Sequence, residues 1–266
     1  MAPGQESLPA REQAEPNAAV AVSRALGVLD AFMGSDTQLT MSELARRVDL
    51  PKSTVHRLIS QLTESGFLTR VDRRYQLSMH VLRLGNQHGL CRPGGMREIA
   101  APHLAGLFQH TGFVVNLAVL EGSDVVYLDK IQGPRAPRSP AHVGGRMPAL
   151  STALGKAMVA HSEPAVVRQV FATGLTRRTP HSIIAPGLMR DQLLRIRDSG
   201  VAYDIQECMV GLTCVAAPVL SSARVPIAAI SVSGPVVRLD PQAAAPLVIR
   251  AAALIAGEWR RSIAQT

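Results

Sequence analysis

The chain has 266 residues, of which 47% are hydrophobic, 18% charged and 3% aromatic, and its formal net charge is +8. This composition is typical of a folded protein with more than one domain and excludes an intrinsically disordered chain. The scarcity of aromatic residues argues against the stacking surfaces of single-strand nucleic-acid binders. The positive charge favours a polyanion or an anionic ligand as partner.

The same sequence predicts a soluble cytoplasmic protein with no membrane partner. No apolar run reaches the roughly 18 residues of a membrane helix, and the best candidate, residues 243–256, contains Pro246 and Arg250. The first 17 residues lack the apolar core of a signal peptide. Three cysteines are an odd number in a long chain and indicate reduced thiols.

The first predicted elements follow a tail. Residues 1–18 lack periodicity and are expected to be disordered. Residues 19–33 are predicted to form an amphipathic helix, because apolar residues recur every three or four positions: Val22, Ala25, Leu26, Leu29 and Phe32. Thr40 and Glu43 have the spacing of a capping box, so a second helix should follow Thr40 and end near Val48.

A third helix and a hairpin complete the first predicted domain, residues 19–78. The helix should run from Lys52 to about Ser65, with Pro51 in its first turn and Gly66 free to adopt a positive φ beyond its end. The alternation over residues 67–77, around a charged tip at residues 72–74, predicts the hairpin. Residues 79–95 are expected to form a linker helix.

Residues 41–62 match the geometry of a helix-turn-helix. Ala45 is small where the two helices approach, and Asp49 occupies the turn position, where it tolerates left-handed backbone. Apolar residues stand at the offsets of the motif's own core: Leu44, Val48, Leu50, Val55 and Leu58. Any pair of amphipathic helices would show such offsets, but it would not predict the polar face that follows.

That polar face is typical of a helix that enters the major groove of DNA. Arg57 is expected to pair with guanine, Ser53 or Thr54 to contact phosphate or a base edge, and the basic hairpin tip to contact adjacent phosphates. Each residue taken alone could equally belong to a solvated face. The predicted DNA-binding residues are Arg46, Lys52, Ser53, Thr54, His56, Arg57, Arg70, Arg73 and Arg74.

The second half is predicted to be an α+β domain, residues 96–266. Helices are expected at residues 96–110, 152–160, 163–172, 188–199 and 241–263. Strands are expected at residues 113–120, 125–131, 202–205, 213–220 and 227–232, with a basic, proline-rich loop at residues 133–140.

Several segments in both halves resemble the IclR family of transcriptional regulators: AVSRAL (21–26), LA (44–45), PKSTVHRL (51–58), PALSTALGKA (148–157), DIQE (204–207), GLTCVAAPV (211–219) and SVSGP (231–235). The resemblance covers about residues 19–262. It implies an N-terminal winged helix-turn-helix, a linker helix and a C-terminal GAF-like effector-binding domain. It also implies a homodimer, often a dimer of dimers, that binds double-stranded operator DNA.

Polar residues in apolar strand segments predict a ligand pocket in the second half. The two-residue spacing of Ser231 and Ser233 places them on one strand face, as a small-molecule site requires. In the family, matching positions contact small carboxylates, including positions at a helix N-terminus. The predicted effector-binding residues are Ala153, Leu154, Asp204, Leu212, Cys214, Ser231 and Ser233. The serines could instead only satisfy backbone groups in a packed strand.

The charged residues near this pocket leave alternatives open. Asp204 would repel an anion, so it is expected to accept a hydrogen bond from a ligand hydroxyl or to hold a nearby N–H, and Glu207 is expected to be structural. Positive potential at the pocket mouth is expected from Arg135, Arg138 and Arg146, although a solvated loop would explain these arginines equally well.

Catalysis is not expected. The segment 150–157 resembles a phosphate-binding loop but lacks its first glycine and its hydroxyl residue. Cys214 lies in an apolar strand, where thiols are inert, and the cysteine spacing fits no metal site. We therefore predict a ligand-responsive transcriptional regulator without cofactor or metal, controlled by a small organic acid. The alternative is a cytosolic enzyme or sensor whose N-terminal domain mediates protein contacts.

Overall fold

A computed structural model describes residues 16–34, 36–134, 136 and 139–264 of the chain. It divides into two compact units, the first ending at Gly85 and the second beginning at Asn86. In the described part of the chain, every helix is too short or too polar to span a bilayer. Residues 1–15 of the predicted tail lie outside the described residues, and residues 16–18 belong to the first helix.

The first unit contains a three-helix arrangement and a small antiparallel sheet of order β1-β3-β2. Its elements are α1 (Pro16–Asp30), β1 (Leu39–Thr40), α2 (Met41–Val48), α3 (Lys52–Glu64), β2 (Leu68–Val71), β3 (Arg74–Leu77) and α4 (Met79–Gly85). Buried apolar residues of α1, α2, α3 and β2 form one core, which includes Val28, Leu44, Val55 and Leu58.

Local chemistry fixes the helix-turn-helix as the sequence predicts. Thr40 Oγ1 accepts a hydrogen bond from the amide of Glu43, and the Glu43 carboxylate accepts one from the amide of Thr40, which completes the capping box. Asp49 ends α2 with φ 52°, and Gly66 follows α3 with φ 78°. Pro51 lies at the N-cap of α3, one residue before the predicted first turn.

Three predictions for the first unit are wrong in part. Helix α1 begins at Pro16, three residues before the predicted start. Val22 and Leu26 are 60% and 56% exposed, whereas Ala25, Leu29 and Phe32 of the predicted stripe pack on the core beside the buried Val28. The linker helix is seven residues long and ends at Gly85, and turns occupy much of residues 86–95.

The second unit is built around a six-stranded antiparallel sheet of order β6-β5-β4-β9-β8-β7. Its strands are β4 (Val114–Glu121), β5 (Asp124–Ile131), β6 (Arg146–Pro148), β7 (Ala202–Ile205), β8 (Leu212–Leu220) and β9 (Pro226–Pro235). Its helices are α5 (Met96–Thr111), α6 (Ala153–His161), α7 (Pro164–Ala172), α8 (Pro186–Ser199) and α9 (Pro241–Ala264), and a short 3-10 turn covers Ala149–Ser151.

Helices cover both faces of this sheet, so the unit has two cores. Helices α5 and α9 pack on the face that carries Val215, Ile230 and Val232. Helices α6, α7 and α8 pack on the opposite face, which carries Ala216 and Ala229. Because side chains alternate along a strand, Ser231 and Ser233 lie on the α6 face. The sequence predicts the five longer strands to within three residues at each end, but β1 and β6 are too short to show alternation.

Candidate functional site

The exposed face of α3 carries most of the predicted DNA-binding residues. Lys52, Ser53, His56 and Arg57 are exposed, while Thr54 is half-buried. Lys52 and His56 are four residues apart, as are Ser53 and Arg57, so the members of each pair are neighbours on the helix surface, on the side away from the buried Leu58. In the part of the chain that the structure describes, neither Lys52 nor Arg57 forms an ion pair, so both cations are available to a polyanion.

Two consecutive arginines on α2 have different environments. Arg46 is exposed and stands among the predicted contacts. Arg47 donates a hydrogen bond to the carbonyl of Ala31 at 2.8 Å and forms an ion pair with Asp36. Arg47 therefore holds α2 against the turn that follows α1, and only Arg46 is left for an external anion.

The hairpin differs from the prediction in its tip. The turn consists of Asp72 and Arg73, because Val71 pairs directly with Arg74. Arg74 is thus a strand residue; its guanidinium lies 3.4 Å from the Glu43 carboxylate and donates to the carbonyl of Gln38. Arg70 donates to the carbonyl of Asp72 at 2.9 Å. Of the three arginines, Arg73 is the one that extends at the tip.

In the second unit the structure brings all seven predicted effector-binding residues around one cavity, on the α6 face of the sheet. Strand register explains part of this convergence: Asp204 on β7 pairs with Cys214 on β8, which pairs with Ser233 on β9. The cavity has a volume of about 20 Å³, close to that of a single water molecule. Its walls must move before an aromatic or branched acid can enter.

Asn116 is a cavity residue that the sequence analysis missed. It lies on β4 opposite Ser231, and its Nδ2 donates to the hydroxyls of Ser231 at 3.2 Å and Ser233 at 3.4 Å. Its Oδ1 is buried and has no hydrogen-bond partner among the described residues. The signal was present in the sequence, since this asparagine interrupts the apolar run of β4, but its partners lie more than 100 positions away.

The remaining lining residues were also missed: Tyr127, Ser139, Pro140, Ala141, Thr152 and Cys208. Burial, reinforced by the neighbouring cysteines and Asp204, raises the pKa of Tyr127 far above its ordinary value, so the phenol stays protonated. A tyrosine in a predicted strand normally belongs to the core, and only the fold places it beside Asp204.

The N-terminus of α6 forms one wall of the cavity. Thr152 is the N-cap and accepts a hydrogen bond from the amide of Gly155 at 3.0 Å. A Cβ at Gly155 would lie 2.1 Å from the carbonyl oxygen of Ala149, so only glycine permits this close approach to the preceding turn. The helix start is thereby fixed where Ala153 and Leu154 line the cavity, with first-turn amides that have no intrahelical acceptor.

Asp204 is buried, with 1% of its surface exposed, and it has the structural one of the two roles considered for it. Its Oδ1 accepts from the amides of Glu207 at 2.7 Å and Cys208 at 3.2 Å, so the carboxylate holds the loop after β7. Its side chain also lines the cavity. Burial raises its pKa to about 6; Lys156 and the two amides oppose that shift, and Glu207 reinforces it.

A buried ion pair lies behind α6. Lys156 has no exposed surface, and its Nζ lies 2.5 Å from Oε1 of Glu207 and 3.3 Å from Oε1 of Gln192. The lysine that resembled a phosphate-binding residue therefore ties α6 to α8 and to the loop after β7. Glu207 makes a structural contact, and its Oε2 has no hydrogen-bond partner.

Of the arginines expected at the pocket mouth, the structure describes only Arg146, and it does not place Arg146 there. Arg146 lies on β6, forms ion pairs with Glu121 and Asp124, and does not line the cavity. The prediction is wrong for Arg146 because these acids on the neighbouring strands pair with it. Arg135 and Arg138 lie outside the described residues.

The thiols of the cavity are held protonated. Burial raises the pKa of Cys208 to about 11 and that of Cys214 well above its ordinary value, and Asp204 reinforces both shifts. A thiolate nucleophile is therefore disfavoured at neutral pH. Among the described residues, no group of three or more His, Cys, Asp or Glu side chains is arranged to hold a metal ion.

Comparison with known proteins identifies the family. Residues 92–255 match the model of the bacterial transcriptional regulator IclR C-terminal domain, and residues 21–72 match that of the IclR helix-turn-helix domain. The chain belongs to the IclR family. The segments that carry the resemblance lie within these two matches. The matches confirm the predicted fold class: an N-terminal winged helix-turn-helix, a linker helix and a GAF-like α+β domain.

IclR-family relatives align along most of the chain. The HTH-type transcriptional regulator BhcR of Paracoccus denitrificans (strain Pd 1222) is 34% identical over 223 residues, which cover 83% of this chain and 79% of BhcR. The transcriptional repressor IclR of Escherichia coli (strain K12) is 31% identical over 223 residues, covering 82% and 81%. These relatives are transcriptional regulators, and so is this chain.

A solved IclR homolog supports the fold over nearly the whole described chain. The crystal structure of an IclR homolog complexed with 4-hydroxybenzoate, from Microbacterium hydrocarbonoxydans, has a TM-score of 0.83 and 28% identity, and covers 91% of this chain and 99% of that one. The Thermotoga maritima IclR has a TM-score of 0.76 at 25% identity.

Proposed function

We propose that this regulator binds double-stranded operator DNA through α3 and the β2–β3 hairpin, and that a small organic acid in the cavity controls this binding. The observation that carries the proposal is the convergence of Asp204, Cys214, Ser231 and Ser233 with the start of α6 around one cavity. The same chain holds an exposed cationic helix face, on which Lys52 and Arg57 form no ion pair with any described residue.

The cavity offers donors and acceptors suited to a hydroxylated carboxylate. The hydroxyl oxygens of Ser231 and Ser233 accept from Asn116, which leaves their O–H groups to donate to carboxylate oxygens. The first-turn amides of α6 add donors of the same kind. Asn116 Oδ1 and the Asp204 carboxylate would accept from a ligand hydroxyl. The ligand of the Microbacterium relative, 4-hydroxybenzoate, has both groups.

No catalytic step is part of this proposal. The cysteines that line the cavity are protonated at neutral pH, and Lys156 is engaged by Glu207 and has no exposed surface. A binding role needs neither a cofactor nor a metal. We infer that the protein acts in the cytoplasm, where operator DNA and small organic acids are both present.

We infer that the chain forms a homodimer, alone or as a dimer of dimers, as the family resemblance implies, and exposed apolar side chains of the first unit support this inference. Val22 and Leu26 on α1 are more than half exposed, and so are Met79 and Leu82 on α4. Within the described chain no residue of α4 is buried. A second copy that covers these side chains would remove apolar surface from water and present two recognition helices to two half-sites.

A thermal-shift screen of small organic acids, with 4-hydroxybenzoate among them, tests the effector site. A ligand that binds the folded state raises the melting temperature. Calorimetry with an acid found in this way should show binding to Ser233→Ala that is weaker by about tenfold or more, because a donor to a charged group is lost.

Operator affinity without ligand provides the control, since Ser233→Ala leaves the first unit unchanged and should bind DNA as the wild type does. When the acid is added, the affinity of the wild type for the operator should change. The variant should need a correspondingly higher concentration of the acid for the same change. If Ser231→Ala and Ser233→Ala both bind the acid with undiminished affinity, the effector binds elsewhere and the cavity proposal fails.

A further inference from the structure

A second concave site lies at the other end of α6. Its apolar residues come from the C-terminal half of α6 and from α7 and α8: Val159, Ala160, Pro164, Val167, Leu193 and Leu194. Ser162 and three arginines complete the lining: Arg168, Arg190 and Arg197. We call it the α7–α8 groove. Its volume is about 390 Å³, and none of its residues lines the effector cavity.

The floor of the groove exposes apolar side chains. Leu194 is 62% exposed, although Leu193 and Ile196 beside it on the same helix are buried in the core. Val167 on α7 is half-buried. Apolar surface that is concave and continuous is costly to leave in water, and such surfaces commonly mark binding sites.

The charged side chains that line the groove are all cationic. Arg168, Arg190 and Arg197 all line it, and among the described residues none of the three forms an ion pair. Arg190 lies 5.2 Å from the ring centre of Phe171, which orients its guanidinium by a cation–π contact. A second copy of this chain, placed groove against groove, would bring arginines opposite arginines. An anion fits the charge better.

The size of the groove favours a small molecule over a protein. Ligand pockets commonly have volumes of about 300–1,000 Å³, a range that includes the volume of the groove, about 390 Å³. A stable protein–protein interface uses about 20–30 residues on each side, and the groove is far smaller than that. An apolar floor with guanidinium groups beside it matches a molecule with an apolar tail and one carboxylate.

We propose that the α7–α8 groove binds a free medium-chain fatty acid, one molecule per chain. The hydrocarbon tail lies against Val167 and Leu194, and the carboxylate pairs with Arg168 or Arg197. The site is separate from the effector cavity, so its existence does not depend on the function proposed above.

Decanoate is the probe, titrated calorimetrically into the full-length protein below the concentration at which it forms micelles. Saturable binding of one decanoate per chain is expected. Leu194→Glu should weaken it by at least about tenfold, because a carboxylate in the groove repels the ligand and removes apolar contact. Leu188→Glu is the matched control: Leu188 is on the same helix and also 62% exposed, but it does not line the groove. It should change the affinity by less than about twofold, within the range expected of an ordinary surface substitution.

A second pair of variants tests the charge. Arg168→Gln combined with Arg197→Gln should weaken decanoate binding by about threefold to tenfold, as loss of charge-assisted hydrogen bonds predicts. The same change should leave the uncharged probe decanol unaffected. Arg195→Gln, an exposed arginine of α8 outside the groove, should have no effect. Ser233→Ala should also bind decanoate normally, which separates this site from the effector cavity.

The proposal is overturned if decanoate shows no saturable binding, or if Leu188→Glu and Leu194→Glu lose equal affinity. It is also overturned if decanoate binding depends on Ser233, which would place the fatty acid in the effector cavity. Sedimentation of Leu194→Glu tests whether a second copy of the chain occupies the groove instead. A change in oligomeric state with unchanged decanoate binding would identify the groove as a contact between copies of the chain.

Discussion

At the scale of single residues, Asp204 shows most directly how burial opposes charge. Its ordinary pKa of 3.8 is raised to about 6 in the folded chain, chiefly by burial. Between these values the folded protein holds a proton that the unfolded chain has released. The stability contributed by this group is therefore present below pH 4 and is lost as the pH rises through 6, a difference of about 3 kcal/mol.

Asp204→Asn should remove this pH dependence. The amide Oδ1 can still accept from the amides of Glu207 and Cys208, while the charge is absent at every pH. Thermal melts at pH 4.5 and 7.5 measure the effect. Relative to wild type, the variant should be more stable at pH 7.5 than at pH 4.5. An equal difference in melting temperature at both pH values would show that Asp204 titrates as an ordinary surface carboxylate.

Arg57 is the residue on which sequence-specific DNA binding should depend most. It is exposed on the same side of α3 as Lys52 and Ser53, and no acidic partner competes for it among the described residues. Arg57→Ala should weaken the binding free energy by about 1–3 kcal/mol on an operator enriched from random-sequence DNA, and by much less on random DNA. Binding titrations on both DNAs measure this difference.

Glu64→Ala, at the exposed C-terminal end of α3, is the control for Arg57 and should leave operator preference unchanged. Equal losses on operator and random DNA for Arg57→Ala would reduce Arg57 to a phosphate contact.

The cavity shows how far single residues could be predicted from the sequence. The shared position of Ser231 and Ser233 could be predicted from the sequence, because the alternation of a strand places residues two apart on one face. The position of Asn116 in the cavity could not be predicted, because its contact with Ser231 depends on β4 pairing with β9 across more than 100 residues. Arg146 was misassigned because its position on β6, between Glu121 and Asp124, depends on a three-residue strand that carries no periodic signal.

At the scale of elements, the hairpin illustrates the effect of register. A two-residue turn instead of a three-residue tip moves Arg74 into β3, where it contacts the Glu43 carboxylate. Glu43 of the α2 capping box and Arg74 of the hairpin strand β3 are thus joined by one ion pair. The sequence predicted the hairpin but not this register, since its turn lacks the Asn-Gly dipeptide that marks two-residue loops.

This register makes a prediction that separates two neighbouring arginines. Arg73→Ala should lower the slope of log affinity against log salt concentration by about 1, because a phosphate contact is lost. Arg74→Ala should change the slope less and the stability of the first unit more, since its guanidinium already contacts Glu43 and Gln38. Salt titrations and thermal melts of both variants distinguish the roles. Equal slopes for Arg73→Ala and wild type would mean that the wing points away from DNA.

Helix α1 shows the limit of periodicity as a guide. Its sequence has apolar residues on more than one stripe, and the pattern alone does not say which stripe the fold covers. Within the chain, Val28 is buried against α2 and α3, while Val22 and Leu26 are left exposed. The exposed Val22 and Leu26 are therefore available to another molecule, while Leu29 and Phe32 of the predicted helix face pack on the core.

At the scale of the whole molecule, charge is distributed unevenly between the two halves. Residues 1–78 have nine basic and nine acidic residues, whereas residues 79–266 have nineteen basic and eleven acidic residues, which accounts for the net charge of +8. A DNA-binding half without net charge must rely on local cationic side chains and on their presentation in more than one copy. Operator affinity should therefore depend strongly on dimerisation.

Leu26→Glu combined with Leu82→Glu tests this dependence. Both leucines are at least half exposed in the single chain, so the change should not disrupt the core of the first unit. Charges at a covered apolar surface oppose association. Sedimentation should show a monomer, and operator affinity should fall by at least about a hundredfold, because the second half-site is no longer bound by a linked copy. Val237→Glu, at an 87% exposed position of the second unit, is the control and should retain both properties. A stable dimer of the double variant would show that α1 and α4 do not form the subunit contact.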